Sequence, residues 1–250
     1  MLGVPATTEF DLKFRLLGIP VRVHPLFWVL AAFLGWSNRH FGEILVWIGC
    51  VFVSILVHEF GHGLTARALI RRNPFVVLYM MGGLCVYDQD DRRPWRRVGI
   101  LLMGPGAGFL LLIATAIVGT LLTGVTPLGT QVHDVPTWVT PLVWEGYSDL
   151  ILINLVWGIF NLLPIFPLDG GQIVQTLLLM RNRREGARWS YIVSIGMAAL
   201  LAVYLYQRGQ SINALLIAYL GLINFQLLQA ARFQGQYDNR FEDDDNWWRK

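Results

Sequence analysis

The chain has 250 residues, 54% of them hydrophobic and only 15% charged, where a soluble domain carries about 25% charged residues. That balance excludes an ordinary soluble enzyme and places the chain among membrane proteins. The formal charge of +3 points to no nucleic-acid partner, because the basic residues lie between apolar runs, and two cysteines, Cys50 and Cys85, make no disulfide framework.

In chain order, the opening "MLGVPATTEFDLKFRLLGIP" lacks an apolar core followed by a small-residue cleavage site, so no signal peptide is expected. Residues 1–24 read as a cytoplasmic or interfacial segment. Apolar runs follow at about 25–37, 43–70, 98–123, 149–165, 188–206 and 211–229, each a candidate span of the bilayer. The fourth is interrupted by Pro164 and Pro167. The expected fold is an all-α polytopic membrane protein of about six transmembrane helices, the fourth broken at those prolines. A single transmembrane domain would occupy residues 25–230, and residues 231–250, with the acidic run "EDDDN", would form a polar cytoplasmic tail.

Between the second and third runs, "NPFVVLYMMGGLCVYDQDD" is too short to span and is rich in strand formers, with Gly82 and Gly83 at its centre. It predicts a short β-hairpin over residues 74–88. Two roles stand open for it: an amphipathic element on the membrane surface, or a strand edge that pairs with an extended peptide.

Arginine and lysine then sort by side. Lys13, Arg15 and Arg22 precede the first span. Arg71, Arg72, Arg92, Arg93, Arg96 and Arg97 follow the second, Arg181, Arg183, Arg184 and Arg188 follow the fourth, and Arg232, Arg240, Arg249 and Lys250 follow the last. The opposite connections carry only Arg39 and Arg208. This asymmetry predicts a multi-pass protein of the cell membrane with both termini cytoplasmic.

Against that apolar background stands "HEFGH" at 58–62. Residues four apart on a helix share a face, so His58 and His62 can both ligate one tetrahedral zinc ion. Glu59 lies about 100° further round, where it can take a proton from a water activated by that zinc. A carboxylate in a span costs about 2.5–3.5 kcal/mol on insertion scales and needs a cavity, a partner or a metal to justify it.

A catalytic zinc takes a third protein ligand. His40 and His133 fall in the outer connections, and His24 at the head of the first span reads as an interfacial residue. Asp169, in "NLLPIFPLDGGQ", remains. The prolines stop a regular helix there, the glycine pair frees the backbone, and such a break is tolerated in a membrane only beside a cavity or within protein. An N-cap would explain an aspartate alone. The whole pattern favours a carboxylate aimed at the metal.

"HEFGH" at 58–62 and "NLLPIFPLDGG" at 161–171 together resemble the site-2 protease family of intramembrane zinc metalloproteases. "MGPGAG" at 103–108 is similar to the Gly-Pro segment of that family's third core span, although close helix packing also explains its small residues. The resemblance implies one zinc ion on His58, His62 and Asp169, Glu59 as base, and a transmembrane segment of another protein as substrate. No room is expected for the family's added sensory domains, which leaves substrate choice to the membrane domain or to a regulatory membrane partner. Asn154 and Asn161 lie seven residues apart, nearly on one face. They read either as binders of the unwound substrate backbone or as interhelical packing groups. A polytopic metal transporter or a non-catalytic membrane scaffold is the alternative. A transporter would show a path of several ionisable residues or an internal repeat, and a dead scaffold could have lost Glu59.

Overall fold

The N-terminal segment carries two strands. Leu12–Leu16 (β1) and Ile19–Val23 (β2) form an antiparallel pair, closed by Leu17 and Gly18, both at positive φ. Two such residues match the right-handed twist of a tight hairpin. The structure is a computed structural model that describes residues 5–36, 40–71, 73–80, 82–87, 93–183 and 185–244, with side chains to residue 232. Arg39, Arg72, Arg92, Arg184 and the charged side chains of the tail beyond Arg232 lie outside the described residues.

The chain divides into two compact units, residues 1–160 and 161–250. In the first, Pro25–Gly35 (α1) follows the hairpin, with the His24 ring accepting from the Leu26 amide at its start. Phe41–Ile70 (α2) comes next, then the expected hairpin, Phe75–Tyr79 (β3) with Gly82–Val86 (β4). The two hairpins join, because β2 pairs in parallel with β3, giving a four-stranded sheet in the order β1-β2-β3-β4. β4 therefore stands at an edge of the sheet. Ile19, Val21, Val23, Val76 and Leu78 bury one face of it in a core with Val51, Ile55 and Phe60 of α2. Arg67, in the last turn of α2, donates to the Leu17 carbonyl at 2.6 Å and pins the β1–β2 turn to that end of the helix. Pro94–Thr123 (α3) and Pro141–Asn161 (α4) complete this unit.

The second unit holds Asp169–Arg181 (α5), Gly186–Gln207 (α6) and Ser211–Asp244 (α7). α6 and α7 approach closely where Gly221 meets Ala198, which is fully buried. The break between α4 and α5 spans residues 162–168 and contains both Pro164 and Pro167, as the proline pair predicts.

Six apolar helices occupy the six predicted runs, but among the described residues five are long and apolar enough to cross a membrane: α2, α3, α4, α6 and residues 211–232 of α7. The eleven residues of α1 rise only about 16 Å, against about 30 Å of hydrocarbon. The fourth helix begins at Pro141, eight residues before the predicted start. Large apolar side chains such as Leu110, Leu121, Leu200 and Leu215 stand exposed on the long helices, as lipid-facing positions do.

Candidate active site

The thirty residues of α2 exceed the hydrocarbon thickness by about ten residues. His58 to His62 lie about 26–32 Å from its first residue, in the second half of the helix. Residues 58–63 are all buried. A helix buried through more than one full turn has no face left for lipid. His58, Glu59 and His62 are each no more than 6% exposed.

The shared face predicted for the histidines is realised. Their Nε2 atoms lie 3.2 Å apart, with the rings at 81°. Two ligands of a tetrahedral zinc at 2.0–2.1 Å are separated by about 3.4 Å, so the pair is spaced for one ion. The Nδ1 atom of His62 is 2.8 Å from the Ile100 carbonyl. A carbonyl only accepts, so Nδ1 carries the proton and Nε2 offers its lone pair. His58 and His62 are buried in the first unit, and Asp169 is buried in the second. Two imidazoles and a carboxylate form a donor set that suits zinc.

Asp169 is the first residue of α5, and the N-cap position belongs to Leu168, with no side-chain capping bond. The capping explanation for the aspartate therefore does not apply. The glycines beside it serve close approach rather than a turn. A Cβ on Gly170 would meet the Leu162 and Leu163 carbonyls, and one on Gly171 would meet the backbone of Ile165 and Phe166. Without side chains at both positions, the first turn of α5 folds back against the broken segment that leads into it.

Glu59 lies beneath β4. A Cβ on Gly83 would run into the Glu59 carboxylate, and Cys85 Sγ sits 3.4 Å from where a Cβ of Gly63 would be. Burial, with the Glu59 charge second, pushes the Cys85 thiol well above its ordinary range, so Cys85 stays protonated and inert. Gly104 of α3 packs directly on the His62 imidazole. This is closer to the metal face than the packing role that its small-residue neighbourhood suggested. Gly106 meets only Met103 of its own helix, and Gly108 faces the Asn154 Oδ1.

The two asparagines are both buried. Asn154 donates to Ser54 Oγ at 2.9 Å and to the Leu150 carbonyl at 2.8 Å, which ties α4 to α2. Asn161 closes α4. The remaining histidines sit elsewhere: His24 packs on the Tyr79 ring, His40 precedes α2, and His133 lies near the Leu121 carbonyl in the α3–α4 connection. One buried carboxylate was not anticipated. Asp149, the first residue of the predicted fourth run, is 3% exposed and joins Glu59 and Asp169 as a buried acid.

The profile of peptidase family M50 matches residues 46–145 and 136–204. A zinc metalloprotease of Methanocaldococcus jannaschii is 29% identical over 219 residues, which cover 86% of this chain and 55% of that protein. Stage IV sporulation protein FB of Bacillus subtilis is 27% identical over 157 residues, 62% of this chain and 46% of that one. The chain thus spans about half the length of the curated relatives it matches. The fold is similar to that of a site-2 protease from Methanocaldococcus jannaschii, with a TM-score of 0.59 and 23% identity, covering 88% of this chain and 95% of the other.

Proposed function

This chain belongs to peptidase family M50, and from that premise we propose that it is an intramembrane zinc metalloprotease, cutting peptide bonds within or next to transmembrane segments of other membrane proteins. The observation that carries the reading is the pair of imidazole Nε2 atoms 3.2 Å apart, with a buried glutamate next to one of them on the same helix. His58, His62 and Asp169 would hold one zinc ion, which when bound supplies a Lewis acid for the scissile carbonyl and for water. Glu59 accepts a proton from the attacking water and returns it to the leaving nitrogen. Buried surroundings strengthen these charge interactions relative to bulk water. A helical substrate shields its carbonyls in i→i−4 bonds, so it must unwind before attack. Asn161 and the Oδ1 of Asn154, whose amide protons are committed to α2 and α4, are assigned to the unwound backbone.

The third ligand gives the direct test. Asp169→Ala should lower zinc content in the detergent-purified protein and abolish cleavage of a co-expressed membrane substrate. Asn161→Ala should slow cleavage at unchanged zinc content. Full zinc occupancy with normal cleavage in Asp169→Ala would overturn the ligand set. β2 shares a sheet with β3 at the end of α2, so the chain from β2 to the start of α2 must return across the membrane despite the shortness of α1. The number of crossings stays even, and the arginine and lysine distribution further assigns both termini to the cytoplasmic side of the cell membrane. Reporter fusions at residues 130 and 240 should label opposite sides, and labelling of both on one side would refute the orientation.

A further inference from the structure

Residues 162–168 carry backbone polar groups outside any helix, and in a membrane each such group needs a partner within the protein. The segment meets part of this need itself: Ile165 donates to the Leu163 carbonyl at 2.7 Å, and Leu168 donates to the Ile165 carbonyl at 2.9 Å. Gln172 Nε2 of α5 donates to the Pro167 carbonyl at 3.0 Å. Phe166 is served from other helices. Its amide donates to Ser194 Oγ of α6 at 3.0 Å, and its carbonyl accepts from Asn224 Nδ2 of α7.

Both partners are buried, Ser194 at 1% exposure and Asn224 at 0%. Ser194 passes its own proton to the Ser190 carbonyl at 2.9 Å, so its oxygen is oriented to accept. Asn224 spends its second amide proton on the Leu220 carbonyl at 2.8 Å. Its Oδ1 has no hydrogen-bond partner among the described residues. Turning the amide over would set Oδ1 against two carbonyl oxygens, so the observed orientation gives up an acceptor in order to hold Phe166.

We propose that Ser194 and Asn224 are positioning residues for the metal ligand Asp169, gripping both polar groups of Phe166 three residues before it. Between the grip and the carboxylate the chain has little freedom. Pro167 has a fixed φ, Leu168 is tied back to Ile165, and Gly170 and Gly171 lie flat on the segment they follow. A displacement at Phe166 is therefore transmitted to Asp169. Partners behind a metal ligand typically account for about 10–100-fold in metal affinity.

The inference rests on the zinc reading above, and the test separates the two. The probe is zinc alone, titrated against a competing chelator on the full chain in detergent, with the absorption spectrum of the cobalt-loaded protein as a second readout. Ser194→Ala removes one oxygen, and Asn224→Leu keeps the shape and removes the donors. Each should weaken zinc binding about 10–100-fold and alter the cobalt spectrum, at unchanged helicity and monodispersity. Asp169→Ala should lose more. Adding Asn224→Leu to Asp169→Ala should then cost nothing further, because the grip acts through the carboxylate. A general packing role would instead make the two losses add. Additive losses, or wild-type affinity in both Ser194→Ala and Asn224→Leu while Asp169→Ala loses zinc, would overturn the positioning role and leave the metal centre standing. Wild-type affinity in Asp169→Ala would overturn the centre and the positioning role together.

Discussion

Replacing Glu59 by glutamine should retain zinc, fold normally and leave a membrane substrate uncut. Glutamine keeps the size of the side chain and loses the basicity. The metal is assigned to His58, His62 and Asp169, so the substitution takes no ligand away. What it removes is the acceptor for the proton of the attacking water and the donor that returns it to the leaving amine. Loss of a general base costs about 10²–10⁴-fold in rate, enough to change a band on a gel from product to substrate. The check is a comparison of membrane proteomes from cells carrying the wild-type and the Glu59→Gln protein, followed by the single accumulating protein co-expressed with each. A transporter built on the same ligands would behave differently, with altered metal flux and no stabilised membrane protein. Cleavage at the wild-type rate by Glu59→Gln would refute the protease mechanism outright.

The face shared by His58 and His62 was legible because it is local. Two histidines one helical turn apart need only the period of the helix to be placed together, and α2 supplies it. The break before Asp169 was legible for a different reason: a proline pair in an apolar run is a physical contradiction unless the break is used. What escaped was non-local. The strands β1 and β2 read as an interfacial segment, since "LKFRL" and "IPVRV" mix charges with apolar residues. Their place in the sheet comes from a parallel pairing of Val21 with Val76, which no local pattern announces. The start of α4 was missed because Glu145, Gly146 and Ser148 dilute its first two turns below the hydropathy of a span. Ser194 and Asn224 were visible as polar residues in apolar runs, and an intramembrane polar group does carry a signal. Their common target, the Phe166 peptide, is set by the packing of α6 and α7 and not by spacing. Gly104 is the sharpest instance. Its neighbours made a small-residue stripe, and only the position of α2 tells which of those glycines meets a histidine.

Two glycines should therefore fail in opposite ways when given a single methyl group. In Gly104→Ala the new Cβ meets the His62 imidazole. Alanine is favoured over glycine inside a helix by about 1 kcal/mol, so α3 itself gains from the change. The cost falls on the contact: either the imidazole turns away from the Ile100 carbonyl that fixes its tautomer, or α3 moves off α2. Overpacking of this kind costs about 1–3 kcal/mol, and loss of the ring's anchoring should lower zinc affinity about 10–100-fold, with cleavage falling alongside. In Gly83→Ala the new Cβ meets the Glu59 carboxylate instead. No ligand is touched, so zinc content should stay at the wild-type level. The base is pushed from its position under β4, and a misplacement of about 1 Å costs on the order of 10²-fold in rate. Zinc titration and substrate cleavage, measured on both variants in parallel, check the pair. A Gly83→Ala protein that cleaves normally would mean that β4 gives way and Glu59 is not held by it. A Gly104→Ala protein with normal zinc affinity would mean that His62 does not depend on α3 for its orientation, and the assignment of its Nε2 to the metal would lose its structural support.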